Sequence, residues 1–172
     1  MGMSVTITTA GASDAEQILK LQYLCYQSEA ALYDDYGMEP LTQPLDDLRA
    51  ELARGAALVA RLGSEVVGSV RGHVDADGTA KLAKLIVHPR MQGHGLGARL
   101  LAAIEERLSA DGSAKRYQLF TGHRSESNLQ LYRKLGYAPV RTERISNRLS
   151  VVTLEKTRDG SPARTSSATA VL

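Results

Sequence analysis

Six consecutive residues, Gln92-Gly93-His94-Gly95-Leu96-Gly97, set three glycines into a short turn between an apolar extended run and a helical one. The first N–H groups of a helix lack intrahelical partners and carry partial positive charge, so they hold phosphates well. Glycine removes the side chains that would keep a diphosphate away from those amides. The chemistry indicated is diphosphate binding by backbone N–H, and the spacing narrows its kind. A Walker A loop ends in Gly-Lys-Ser/Thr, whereas Gly97-Ala98-Arg99 stands here. A dinucleotide fingerprint requires G-x-G-x-x-G and an acidic residue ending the next strand. The chain instead has G-x-G-x-G, with Thr121-Gly122 at that strand end.

Asn128 and Tyr132 lie four apart in a helical stretch, so they project from one face and can meet one ligand; Leu131 and Leu135 point to a neighbouring, core-facing side. Tyr132 also reads as a half-buried aromatic that stabilises its helix. His73, His88, His94 and His123 show no tight ligand spacing with acids or with Cys25, and no metal site is expected. Cys25 sits on an apolar helical stripe and reads as core rather than nucleophile. As the lone cysteine it forms no internal disulfide and suits a reducing compartment, so a cytoplasmic setting is expected.

These residues need elements to hold them. Val5–Thr9 alternates like a strand. Ser13 and Glu16 have capping-box spacing ahead of a helix carrying Ile18, Leu19, Leu21, Leu24 and Cys25 to about Ala30. Leu32–Pro44, with Gly37, Pro40 and Pro44, reads as a loop, and Leu45–Ala53 as a helix stopping near Gly55. Ala57–Arg61, Val66–Val74 and Lys81–Val87 read as strands, the last two joined through Asp77-Gly78. Leu96, Leu100, Leu101, Ile104 and Leu108 form a helical stripe that ends near Asp111-Gly112. Strand Arg116–Phe120, helix Ser125–Leu135 with Gly136 at its end, and strands Tyr137–Val140 and Leu149–Leu154 complete the layout. The class is α/β, or α+β with one mixed sheet carrying helices. One domain over residues 4–156 is expected, and the polar stretch 157–172 reads as a disordered tail.

The pattern Gln/Arg-x-x-Gly-x-Gly/Ala, met by Gln92, Gly95 and Gly97 after Leu85-Ile86-Val87-His88-Pro89, resembles the pyrophosphate-binding motif of the GNAT superfamily of N-acetyltransferases. Asn128, Tyr132 and Gly136-Tyr137 resemble the second half of that family's pattern. The resemblance implies a GNAT-like acyl-CoA N-acyltransferase fold: a twisted, mostly antiparallel central sheet flanked by helices, with splayed central strands. It further implies acetyl-CoA as co-substrate, held at Leu85, Ile86, Val87, Gln92, Gly93, His94, Gly95, Leu96, Gly97, Ala98 and Asn128. Tyr132 contacts the same molecule and protonates the departing thiolate. A phenol of pKa ~10 giving its proton to a thiolate of pKa ~8.5 is uphill in reference values, yet feasible when positioned.

An amine must lose a proton to attack the thioester. Some GNAT enzymes place a glutamate near the strand before the glycine turn, but Lys81 and Lys84 stand there, so the base does not carry over. His123, at the end of the strand after Phe120-Thr121-Gly122, is the local candidate, with pKa ~6.5. Reading it as an exposed loop histidine, with water taking the proton, stays open beside this. The loop between the first helices borders the acceptor in this family, so Tyr33, Asp35 and Tyr36 are candidate acceptor contacts, with Asp34 and Glu39 adding negative charge. Those residues also read as an acidic, solvated helix end.

Net charge is +2, from 21 basic and 19 acidic residues, too small an excess to indicate nucleic acid. The basic residues Arg133, Lys134, Arg141, Arg144 and Arg148 read as a solvated face or a local field for a phosphorylated ligand. No apolar run approaches the length of a membrane span, so no membrane partner is expected. The partner is a small-molecule amine, with a protein amine or a non-catalytic CoA-binding role as alternatives. Many GNAT enzymes form homodimers, and the resemblance offers Leu149–Leu154 as an edge for one.

Overall fold

The computed structural model describes residues 4–159. Seven strands, β1 (Val5–Thr9), β2 (Ala56–Leu62), β3 (Glu65–Val74), β4 (Thr79–Val87), β5 (Arg116–Gly122), β6 (Ala138–Arg144) and β7 (Ser150–Thr157), form one sheet in the order β1-β2-β3-β4-β5-β7-β6. All neighbours pair antiparallel except β4 and β5. The fold class is therefore the mixed, mostly antiparallel one expected. The expectation for residues 160–172 lies outside the described residues.

Six helices cover the two faces. On one face lie α1 (Ala15–Cys25) and α4 (Leu45–Arg54), whose Ile18, Leu21, Leu48 and Leu52 pack on Ala57, Val59, Val66 and Ile86. On the other lie α5 (Leu96–Ser109) and α6 (Glu126–Lys134), whose Leu100, Leu101, Ile104 and Leu129 meet Leu58, Val67, Val70, Leu82 and Leu119. Alternate residues of β2 and β3 thus face opposite cores, which explains why these strands read as almost continuous apolar runs. Between α1 and α4 come α2 (Gln27–Tyr33) and the short α3 (Glu39–Thr42).

Four local expectations need correction. The box at Ser13 and Glu16 does not form; the Gly11 N–H donates to Asp14 Oδ2 at 2.8 Å ahead of α1. The first helix breaks at Tyr26, where ψ is 0°, and resumes as α2. Pro40 falls in the first turn of α3, where its missing N–H costs nothing, so the segment read as loop contains a helix. Strand β7 pairs with β5 on one side and β6 on the other, so Leu149–Leu154 is interior and offers no edge; the free edges are β1 and β6.

Two irregularities in β4 position the site. Pairing with β5 stops after Thr79↔Arg116, Ala80↔Tyr117 and Lys81↔Gln118, so from Leu82 onward β4 diverges from β5. Across from β3, register passes from Ser69↔Ile86 to Arg71↔Ala83: two steps on β3 meet three on β4. The extra residue makes a bulge, and Lys84 adopts φ 54°, a left-handed conformation rare for a side chain of this size.

Candidate active site

The glycine turn lies at the end of this splayed strand. After Val87 the chain makes a 3-10 turn over Pro89–Met91, in which His88 Nδ1 accepts the Arg90 N–H at 3.2 Å. Gly93 and Gly95 follow with φ 85° and 74°, and nothing lies within 4 Å of where their side chains would be. Gly95 caps α5 without any side-chain bond, and its carbonyl accepts the Arg99 N–H at 3.1 Å. The N–H groups of Leu96, Gly97 and Ala98 precede the first such bond and belong to the open helix start. Leu96 buries its side chain in the core, so it has only its backbone to offer a ligand. A Cβ on Gly97 would come 3.5 Å from Leu131 and 3.9 Å from Val87, so the turn, β4 and α6 converge here.

Within the strand, Ile86 is buried against the α1–α4 face, while Leu85 and Val87 are half-buried against the other core. The Val87 carbonyl accepts from Cys25 Sγ at 3.3 Å and from Gln92 Nε2 at 3.3 Å. Burial pushes the Cys25 thiol up to about 11, which fits an inert packing residue.

Asn128 and Tyr132 occupy one face of α6 as the spacing requires. Asn128 Nδ2 donates to Thr121 Oγ1 on β5 at 3.2 Å. Tyr132 is 7 % exposed, and its hydroxyl has no hydrogen-bond partner among the described residues. Burial, with the Glu29 carboxylate adding to it, pushes its phenol up to about 12.

The remaining candidates divide. His123 lies on the surface, its Nδ1 2.9 Å from the Ser150 nitrogen and 3.2 Å from the Ser150 carbonyl, so the ring is tied to the start of β7. Tyr33 is 3 % exposed and buried against Gly122, with its hydroxyl accepting the Arg124 N–H at 2.9 Å and meeting Ser125 Oγ at 2.8 Å. It is no open pocket wall. Asp35 and Tyr36 remain on the surface, Tyr36 at 57 % exposure and Asp35 Oδ1 accepting the Gly37 N–H at 3.1 Å. Among the basic residues, Arg148 lies 3.5 Å from Asp34, and Arg144 bonds Ser146 and Asn147, as a solvated face would.

Lys84, in the strand where some GNAT enzymes carry a glutamate, turns its side chain toward α3 and α4. Its ammonium lies 2.6 Å from Glu39, 3.7 Å from Glu51 and 3.3 Å from Gln43 Oε1. Buried Arg71 shares this network, 2.7 Å from Glu51 and bonded to Gln22 and Gln43. These contacts tie α3 and α4 to the bulge. Sequence reasoning did not single out Glu29, whose carboxylate accepts the Ser125 hydroxyl at 2.7 Å and acts on the Tyr132 phenol. Glu29 and Tyr33 follow at i and i+4 on α2, a shared helix face that the spacing alone indicates.

Among the described residues no group of three His, Cys, Asp or Glu could hold a metal, and no helix is long and apolar enough to cross a membrane. A seven-stranded mixed sheet that splays between β4 and β5, with a glycine-started helix at the opening, defines the acyltransferase class. The sequence profile of the acetyltransferase (GNAT) family matches residues 16–137, more than half of the chain, and the chain belongs to that family.

Solved structures agree on the fold. PaiA N-acetyltransferase from Thermoplasma acidophilum, in complex with coenzyme A, has a TM-score of 0.75 at 19% identity, covering 90% of this chain and 99% of that one. The ribosomal-protein-S18-alanine N-acetyltransferase from Escherichia coli gives 0.74 at 16% identity, covering 94% and 97%. The yncA protein of Salmonella typhimurium, with its cofactor acetyl-CoA, gives 0.72 at 17%, covering 94% and 98%. No curated protein matches the chain.

Proposed function

We propose that this acetyltransferase moves the acetyl group of acetyl-CoA to a primary amine of a small molecule by direct attack. The observation that carries the reading is the opening between β4 and β5 beyond Lys81, which ends at the bare N–H groups of the Gly93–Ala98 turn. Gln92, Gly93, His94, Gly95, Leu96, Gly97 and Ala98 hold the diphosphate. The open edge of Leu85, Ile86 and Val87 holds the pantetheine as a further strand would, and Asn128 steadies it from α6. Tyr132, with an unspent hydroxyl, protonates the leaving thiolate. The surface pair Asp35 and Tyr36 forms the acceptor's rim, and the free Cys25 thiol suits a cytoplasmic setting.

Thermal unfolding with acetyl-CoA, ATP or NAD tests the reading, because a ligand that binds the native state raises its apparent stability. Acetyl-CoA is expected to raise the melting temperature and the two nucleotides much less. Equal shifts, or none with acetyl-CoA, sink the proposal.

A further inference from the structure

The facing sides of α2 and α6 hold a group that the reaction above leaves without a role. Ser125, the cap of α6, donates its Oγ–H to Glu29 Oε2 at 2.7 Å. A serine hydroxyl has one hydrogen, so toward Tyr33, 2.8 Å away, Ser125 must accept. Tyr33 in turn accepts the Arg124 N–H. The chain of donors runs in one direction, from Arg124 through Tyr33 and Ser125, and ends on the carboxylate. Such chains polarise each other and hold their last member in place. Glu29 is half-buried, and its second oxygen has no partner among the described residues.

That carboxylate sits among phenols. Tyr26, at the junction that opens α2, stands three residues before Glu29. Tyr132 lies two turns beyond Ser125 on α6, its ring 6.2 Å from that of Tyr137, and near enough to Glu29 for the carboxylate to act on its phenol. Burial pushes both phenols above the ordinary tyrosine value; Glu29 adds to it at Tyr132, and Tyr132 and Glu29 add to it at Tyr26 against the opposing charge of Arg71. Neither hydroxyl has a hydrogen-bond partner among the described residues. Cys25, adjoining Tyr26, bonds Val87 at the end of the splayed strand, so the group stands at the mouth of the cleft.

Resting on the proposed amine acetylation, we infer that Glu29 receives the acceptor's cationic amine and serves as its general base, with Tyr26 and Tyr132 forming the walls. The ammonium gives one proton to Glu29, which passes it to water across its open side. The freed nitrogen pair attacks the thioester carbon, forming the C–N bond. The nitrogen, now positive, gives a second proton to Glu29 as the C–S bond breaks, and the thiolate takes the phenolic proton of Tyr132. Glu29, now a neutral acid beside a tyrosinate, returns that proton to Tyr132, a transfer strongly downhill between these two groups. One proton leaves to water and one ends on the thiol, which balances the reaction.

The test follows thiol release from acetyl-CoA with tyramine, spermidine, L-methionine and an alanine-initiated peptide, alongside acetyl-CoA thermal shifts. Glu29→Gln is expected to keep the shift and lose about 10²–10⁴-fold in kcat/KM on whichever amine the unaltered chain uses. Glu29→Ala is expected to regain rate when sodium formate is added, which a structural role alone would not produce. Glu29→Gln activity within threefold of the unaltered chain, joint loss of activity and shift, or failure of formate to raise the rate overturns the inference. An acetyl-CoA shift in the unaltered chain with no thiol release on any of these amines overturns the proposed acetylation and this inference with it.

Discussion

The Tyr33 hydroxyl occupies the space that a side chain on Gly122 would need: a Cβ built there would stand 2.0 Å from it. The glycine at the end of β5 is thus a seat for the tyrosine that orders Ser125 and, through it, Glu29. Gly122→Ala is expected to cost about 1–3 kcal/mol, as overpacking does in a closed site. In a Tyr33→Ala background the same substitution should cost far less, because the obstructing ring is gone. Chemical denaturation of the four chains measures the coupling, and additive losses would disprove the contact.

The glycine turn makes a different demand. Gly95 holds φ 74° with open space around it, so the constraint is backbone conformation and ligand access rather than crowding. Gly95→Ala is expected to destabilise the chain by about 1 kcal/mol. Gly95→Glu adds a carboxylate beside the amides and should abolish the acetyl-CoA thermal shift. A shift retained in Gly95→Glu would remove the turn from the cofactor site.

What the sequence disclosed follows the range of the forces involved. The β2, β3 and α5 segments were legible because their apolar periodicity is local, and Gly63, Gly78 and Gly136 mark turns with positive φ. Gln92–Gly97, Asn128 and Tyr132 were legible because one turn or one helix face carries each. The break at Tyr26 was hidden: neither glycine nor proline marks it, and the Ser125 partner that Glu29 and Tyr33 share lies 96 and 92 residues along the chain. The roles of Tyr33 and His123 depended on partners 92 and 27 residues away. The β7 position between β5 and β6 likewise arises from sheet order, which strand patterning does not encode.

Arg71 and Glu51 give a prediction at acid pH. Burial pushes the Glu51 carboxyl up, but Arg71 and then Lys84 outweigh it and hold it below the usual carboxylate range. A depressed carboxyl adds stability above its unfolded value, and that stability is lost as pH falls through the folded one. Glu51→Gln is therefore expected to lower stability at pH 7 and to flatten the acid limb of the unfolding curve. Arg71→Ala, which strands Glu51 beside a buried gap, should cost about 3 kcal/mol or more. Unchanged acid sensitivity in Glu51→Gln would assign that limb to other carboxylates.

At alkaline pH the sign reverses. Burial, with Glu29 adding to it, raises Tyr132 from 10.0 to about 12, and burial raises Cys25 from 9.0 to about 11. A neutral acid whose folded value is raised contributes stability that is complete below the unfolded value and is lost as pH climbs through the folded one. Stability should therefore decline first between about pH 9 and 11, through Cys25, and then between about 10 and 12, through Tyr132. Burial raises Tyr26 and Tyr137 as well, which steepens the later phase. Melting curves across pH 8–11 check this, with Cys25→Ala expected to remove the early phase and Tyr132→Phe part of the late one. The same elevation keeps Tyr132 protonated, and so competent as an acid, throughout the neutral range. Tyr132→Phe should accordingly lower kcat by about 10²–10⁴-fold while acetyl-CoA still shifts the melting temperature. A variant with full turnover would take the proton-donor role away from Tyr132 and leave it as a wall of the cleft.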